Sequence, residues 1–266
     1  MSRVSRRAVL LTAGLSLILA LPVSVSANHS WGNYHWARTS NPFTLKLGDN
    51  VTSLAWGSSL GTTSSDWSAS SVLDTTIVGG QSRSAKLCNA ITGTVQVCNA
   101  KYGNNGWLGL AQIWLSGLHI TKGAVKVNDT YYALAKYDTP AWRNLVMCQE
   151  VGHTLGLGHQ DETSSNANLD TCMDYTGDPT SNQQPNQHDY DELVTIYTHL
   201  DSTSTIASAT TSGGGNGKGG VADGPADGPA AWGRLVATTN HGHGAWFVLD
   251  LGGGDQLLTH VLWADR

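Results

Sequence analysis

The stretch Cys148-Gln-Glu-Val-Gly-His-Thr-Leu-Gly-Leu-Gly-His-Gln-Asp161 decides how the rest of the chain is read. It continues a segment, TPAWRNLVM, in which Thr139 can cap a helix and Pro140 fits its first turn. Apolar Trp142, Leu145, Val146 and Val151 then recur at mostly helical spacing until Gly156 and Gly158. On that helix Gln149 and His153, four apart, point the same way, with Glu150 beside them. Gly156 permits a sharp turn, so His159 can swing back toward the same point. Two donors from a helix and one from the returning chain make three legs of a tetrahedron with one position open, a geometry suited to a metal. Gln149 Oε1 lies as many bonds from Cβ as an imidazole Nε2 does. The amide can therefore reach where a histidine donor would sit, as a weaker neutral ligand.

Composition narrows the setting. The chain has 266 residues, 40% hydrophobic and 13% charged, enough for one full core and an appendage. Arg3, Arg6 and Arg7 precede the apolar run Ala8 to Leu21, then Pro22 and the small-residue site Val25-Ser26-Ala27. This is the layout of an export signal, with cleavage expected after Ala27, and Ser5-Arg6-Arg7 resembles a bacterial twin-arginine signal. Losing those three arginines and no acid moves the net charge from -5 to -8. No basic run offers a nucleic-acid surface, and no segment is long enough for a stable membrane anchor. The expected product is a secreted monomer. Four cysteines suit an oxidising compartment and allow three pairings, of which Cys88 with Cys98 and Cys148 with Cys172 are favoured.

Residues 28–201 carry Trp, Tyr and alternating apolar runs and form the main domain. Within it Trp107–Leu115 and Ala124–Asn128 have strand character, and a closing helix is expected at His188–Leu200, with Leu193, Ile196, Tyr197 and Leu200 on one face. Strands first, then an active-site helix, a long loop and a closing helix make an α+β fold. Residues 202–231 are Ser/Thr/Gly-rich and end in a duplicated ADGP, as in a linker. Residues 232–266 hold three short strand-like runs, a β tail expected to dock on the main domain or form a small module.

The segment QEVGHTLGLGH resembles the HExxHxxGxxH signature of the metzincin zinc proteases, with Gln149 in place of the first His. Cys172-Met173-Asp174-Tyr175 resembles their Met-turn. Gly106 to Ala111 resembles, more weakly, the edge strand along which these enzymes lay substrate. The resemblance is nearest to the matrixin-like enzymes, although Gln160, after the third ligand position, departs from their pattern. It implies a metzincin-like catalytic domain with a twisted mixed sheet and a zinc endopeptidase activity on peptide or protein substrates. Gln149, His153 and His159 would hold zinc, Glu150 would act as general base, and Met173 would floor the site. Tyr175 would be an extra ligand or oxyanion stabiliser, and Gly109, Leu110 and Ala111 would line the substrate edge. A Cys148–Cys172 bond would then brace the two walls of the site. The alternative function is a non-catalytic relative that binds peptide or protein by strand addition along that edge, and a wall or matrix protein is a third.

Other candidates carry less. Asp161, Glu162 and Asp170 could hold calcium, but no EF-hand spacing supports it. His119, His188 and His199 read as loop, surface or packing positions, and His241 and His243 as a solvated turn.

Overall fold

The computed structural model describes residues 29–208, 228–239 and 242–265. The export signal and most of the linker lie outside these residues. In chain order the elements are β1 (His35–Trp36), β2 (Phe43–Asn50), α1 (Leu54–Trp67), β3 (Leu73–Gly79), β4 (Thr94–Ala100), β5 (Trp107–Ser116) and β6 (His119–Asn128). There follow α2 (Asp129–Tyr132), α3 (Pro140–Thr154), α4 (Gln187–Ile196), α5 (Pro229–Trp232), β7 (Arg234–Thr238), β8 (Gly244–Gly252) and β9 (Asp255–Trp263).

All the described strands join one mixed sheet in the order β3-β2-β4-β6-β5-β9-β8-β7, with β1 added beside the start of β6. The parallel pairs β2–β3, β2–β4 and β4–β6 form one half, and β5, β9, β8 and β7 run as antiparallel neighbours in the other. The α+β class is thus observed. No helix among the described residues is long and apolar enough to cross a membrane.

β9 pairs along β5 from Trp107 to Ser116, so the tail extends the main sheet. Gly109, Leu110 and Ala111, expected at a substrate edge, lie on an interior strand with β6 on one side and β9 on the other. Alternation explains the docking. Leu258 and Leu262 face the main core, while Val261 and Phe247 pack with Trp107 and Trp232 in a smaller cluster.

Helix α3 forms as its sequence suggests. The Thr139 hydroxyl accepts from Trp142 N–H at 3.2 Å, and Pro140 occupies the first turn. At the other end Gly156 has φ +95°, and a Cβ there would lie 2.1 Å from the Tyr34 carbonyl oxygen. Gly156→Ala should therefore combine backbone strain with a backbone clash and destabilise the chain by roughly 2–4 kcal/mol, measured by denaturant unfolding. Loss below 1 kcal/mol would mean the turn relaxes freely. Helix α4 has a capping box built by Asn186 and Asp189 and ends at Ile196. Leu193, Ile196 and Tyr197 are buried as expected, but Leu200 lies beyond the helix and is exposed.

Both disulfides are present with the favoured pairing, Cys88–Cys98 and Cys148–Cys172. The second joins the residue before Gln149 on α3 to the residue before Met173. The Met173 sulfur sits against α3 at Gly152, where a Cβ would lie 2.6 Å from Sδ and 2.7 Å from the Trp67 ring.

Candidate metal centre

Helix α3 presents Gln149, Glu150 and His153 to the interior, all but fully buried. His153 Nδ1 donates to the Leu157 carbonyl at 2.8 Å, which fixes the tautomer and leaves the Nε2 lone pair facing inward. The chain then turns at Gly156, and His159 returns beside it with ring centroids 4.6 Å apart at 85°. Gln160 N–H donates to Met173 O at 2.7 Å, and Tyr175 N–H donates to Asp161 O at 3.2 Å. The returning chain and the Met173 segment therefore hold each other in register.

A third imidazole arrives from the tail. His260 on β9 pairs with Ala111 of β5 and Trp246 of β8, and its ring lies 4.1 Å from that of His153 and 4.9 Å from that of His159. One ring nitrogen from each of His153, His159 and His260 lies within 4.8 Å of the others. His260 Nδ1 lies 3.1 Å from Glu150 Oε2, and the Tyr175 hydroxyl lies 2.9 Å from His260 Nε2. With the hydrogen on Nδ1 donating to the carboxyl, Nε2 carries the lone pair that the tyrosine hydroxyl meets.

Burial sets the charge states. It pushes the Glu150 carboxyl up to about 8, with His153 pulling only weakly the other way. It pulls His153 and His260 down to about 3. His159 falls well below the usual histidine range, first by burial and then by the imidazoles of His153, His260 and His29. The Glu150–His260 contact has the spacing of an ion pair, but both groups are driven toward their neutral forms, so it is a neutral hydrogen bond. Three neutral imidazoles are what a divalent metal needs as donors.

The unsatisfied atoms test whether a metal fits. Buried and without a hydrogen-bond partner are His153 Nε2, both ring nitrogens of His159, Glu150 Oε1 and Gln149 Oε1. Each such atom costs roughly 1–3 kcal/mol unless something satisfies it. A cation at the point where the imidazoles meet would satisfy the His153 and His159 lone pairs and take His260 Nε2 in place of the Tyr175 hydroxyl, so these residues fit zinc. Gln149 contributes differently from His260. Its amide nitrogen donates to the Cys172 carbonyl at 2.9 Å, tying α3 to the Met173 segment.

Tyr175 flanks the cluster, its ring 4.2 Å from that of His159. Trp246 of β8 packs on the same cluster, 4.3 Å from His260 and 5.0 Å from His153. A cleft of about 350 Å³ reaches His159 between His29–Trp31, Glu162, Val236–Ala237 and Trp246. Gly244 allows the tail to settle, since a Cβ there would lie 1.7 Å from the Tyr175 hydroxyl oxygen. Gly244→Ala should push β8 off Tyr175 and expose Trp246, read as a red shift of tryptophan emission and faster exchange of β9 amides. Unchanged exchange at His260 would show that the strand accommodates the methyl group.

His260 escaped the sequence reading, although one signal was present. In QLLTHVLWA it alternates with Leu258 and Leu262 and so shares their inward face. Of the remaining candidates, Asp161 Oδ1 accepts from Thr163 N–H at 2.7 Å and its Oδ2 accepts from Asn166. Among the described residues Asp161, Glu162 and Asp170 do not form a ligand group. His188 stacks on His29, and His243 Nδ1 lies 3.1 Å from Asp265 Oδ1, while His241 lies outside the described residues.

No family profile matches the chain, and no curated protein matches it. Among solved structures, myroilysin aligns with a TM-score of 0.36 and 11% identity, covering 60% of this chain and 82% of that one. High choriolytic enzyme 1, a hatching enzyme zinc-protease from Oryzias latipes (Medaka fish), aligns with a TM-score of 0.36 and 10% identity, covering 62% and 94%. A further crystal structure of myroilysin gives 0.35, 12%, 70% and 100%. At these scores the reading of the site stands on its own side chains.

Proposed function

We propose that the chain is a secreted zinc-dependent endopeptidase whose metal is held by His153, His159 and His260, with Glu150 as general base. The observation that carries this reading is the meeting of three buried, neutral imidazoles beside one buried carboxyl. The proposal assigns the third imidazole to His260 in place of the Gln149 amide. The export-like first 27 residues and the two disulfides support secretion.

When bound, zinc supplies a Lewis acid for a peptide carbonyl and acidifies water. Burial alone favours the neutral carboxyl, but a cation beside it would favour the carboxylate, whose Oε1, which has no partner, could then take a proton from water and return it to the leaving amine. With His260 Nε2 on a metal, the Tyr175 hydroxyl that now meets that nitrogen would be free to donate to a developing oxyanion. His260, braced by strand pairing on both sides, holds Glu150 in place through Nδ1. The cleft beside His159 and Trp246 is the proposed entrance for substrate. Strand addition along the Leu108 to Ile113 edge, the basis of the non-catalytic alternative, is disfavoured because β9 occupies that flank.

The test is cleavage of a broad peptide library by the purified full chain. Activity should disappear on chelation and return with stoichiometric zinc. A chain that holds zinc yet cleaves nothing would sink the peptidase reading.

A further inference from the structure

A second group of donors lies at the end of β1. His35 on β1 pairs in register with His119 at the start of β6. The chain leaving α4 brings His199 and Asp201 to the same place, held by Asp201 N–H to the Arg38 carbonyl and Thr205 N–H to the Ala37 carbonyl, both at 2.9 Å. Asp201 Oδ1 then has three imidazole Nε2 atoms around it, from His119 at 3.2 Å, His35 at 3.5 Å and His199 at 3.8 Å. His35 and His199 Nε2 are themselves 3.2 Å apart, and the His35 ring stands nearly perpendicular to both of the others.

With all three histidines neutral, the protein's own hydrogens leave this cluster short. His35 Nδ1 lies 3.0 Å from the Asn33 carbonyl, which can only accept, so Nδ1 carries the hydrogen. In neutral His35, Nε2 is then a lone pair. Asp201 Oδ2 is taken by Arg38, through its guanidinium at 3.0 Å and its backbone N–H at 3.1 Å, which fixes the carboxylate and turns Oδ1 toward the histidines. His119 can donate to Oδ1 and His199 can donate to His35. The His35–Asp201 contact still sets lone pair against lone pair. A cation at the centre removes that conflict and uses all four donors.

We propose that His35, His119, His199 and Asp201 form a second metal site, for zinc or a similar imidazole-preferring divalent ion. Three imidazoles and one carboxylate make a donor set of that class, and calcium or magnesium would want more oxygen. His119 and His199 are partly exposed, which lets the ion enter from solvent. Its role is structural. It would staple β1, the β5–β6 turn and the segment after α4. Trp36, next to His35, donates its ring N–H to the Thr154 carbonyl at 2.9 Å, and Tyr197 donates to the Leu155 carbonyl at 2.9 Å. The staple thus backs the end of the helix that carries His153.

Zinc bound by the full chain is counted after equilibrium dialysis, with far-UV circular dichroism checking the fold. His119→Ala/His199→Ala should bind one equivalent less than the wild type. His153→Ala/His159→Ala should keep one equivalent, which disappears when the two pairs are combined. The milder His119→Asn, at an exposed position, should weaken one class of zinc by roughly tenfold or more and lower the zinc-induced gain in melting temperature. Wild-type stoichiometry in the His119/His199 pair, or no zinc in a folded His153/His159 pair, would overturn the proposal. A wild type that holds one equivalent, lost only with His119 and His199, would instead leave this site standing and remove the proposed catalytic one.

Discussion

Replacing His260 by alanine is expected to abolish metal binding at the proposed catalytic centre in an otherwise folded chain. The substitution removes one of three neutral nitrogen donors and leaves Glu150 Oε2 without its partner at 3.1 Å. Loss of groups that merely orient ligands costs roughly 10- to 100-fold in metal affinity, so loss of a ligand should cost more than about 100-fold, or about 3 kcal/mol. Competition with a chromophoric chelator measures it. The partner experiment restores the donor from the other side. Gln149→His, one helical turn before His153, should recover zinc binding in the His260→Ala background. Full zinc affinity in His260→Ala alone would return the third-ligand role to Gln149.

Glu150→Gln is expected to keep the metal and lose the chemistry. The amide fills the same volume in a fully buried site and cannot accept a proton, so kcat/KM on the best library peptide should fall by roughly 100- to 10,000-fold with zinc content unchanged. The fold should tolerate the change, because burial already holds the wild-type carboxyl up to about 8 and a neutral group matches that environment. Cleavage at the wild-type rate would remove Glu150 from the mechanism and with it the reading of the site.

The portions legible in the sequence are those whose signals are local. Thr139, Pro140 and Gly156 bound α3 because capping and turn chemistry act within a few residues, and the position of His159 follows from that turn. Helix α1 gave no comparable signal. Its sequence LAWGSSLGTTSSDW is built from weak helix formers, and it holds through the Ser53 cap and the burial of Trp56, Leu60 and Trp67. Trp67 also donates its ring N–H to the Cys148 carbonyl at 3.1 Å, a contact with α3 that no local pattern announces. The tail illustrates the same limit. Its alternation marks strands but cannot name their partner, and Gln112 meets Thr259 across 147 residues of chain. His260, Trp246 and the occupied flank of β5 all follow from that one pairing. The second histidine group was likewise divided among β1, β6 and the segment after α4, where each member alone reads as packing.

The place of β9 bears on the order of synthesis. A nascent chain that has emerged as far as α4 already carries the glutamate, two histidines and the Met173 segment, yet it lacks the imidazole at position 260. The proposed metal centre cannot close until β9 has been made and has settled along β5. On the proposed ligand set, a chain that stops before β9 would be hydrolytically silent, and the order of assembly would guard the cell that makes it.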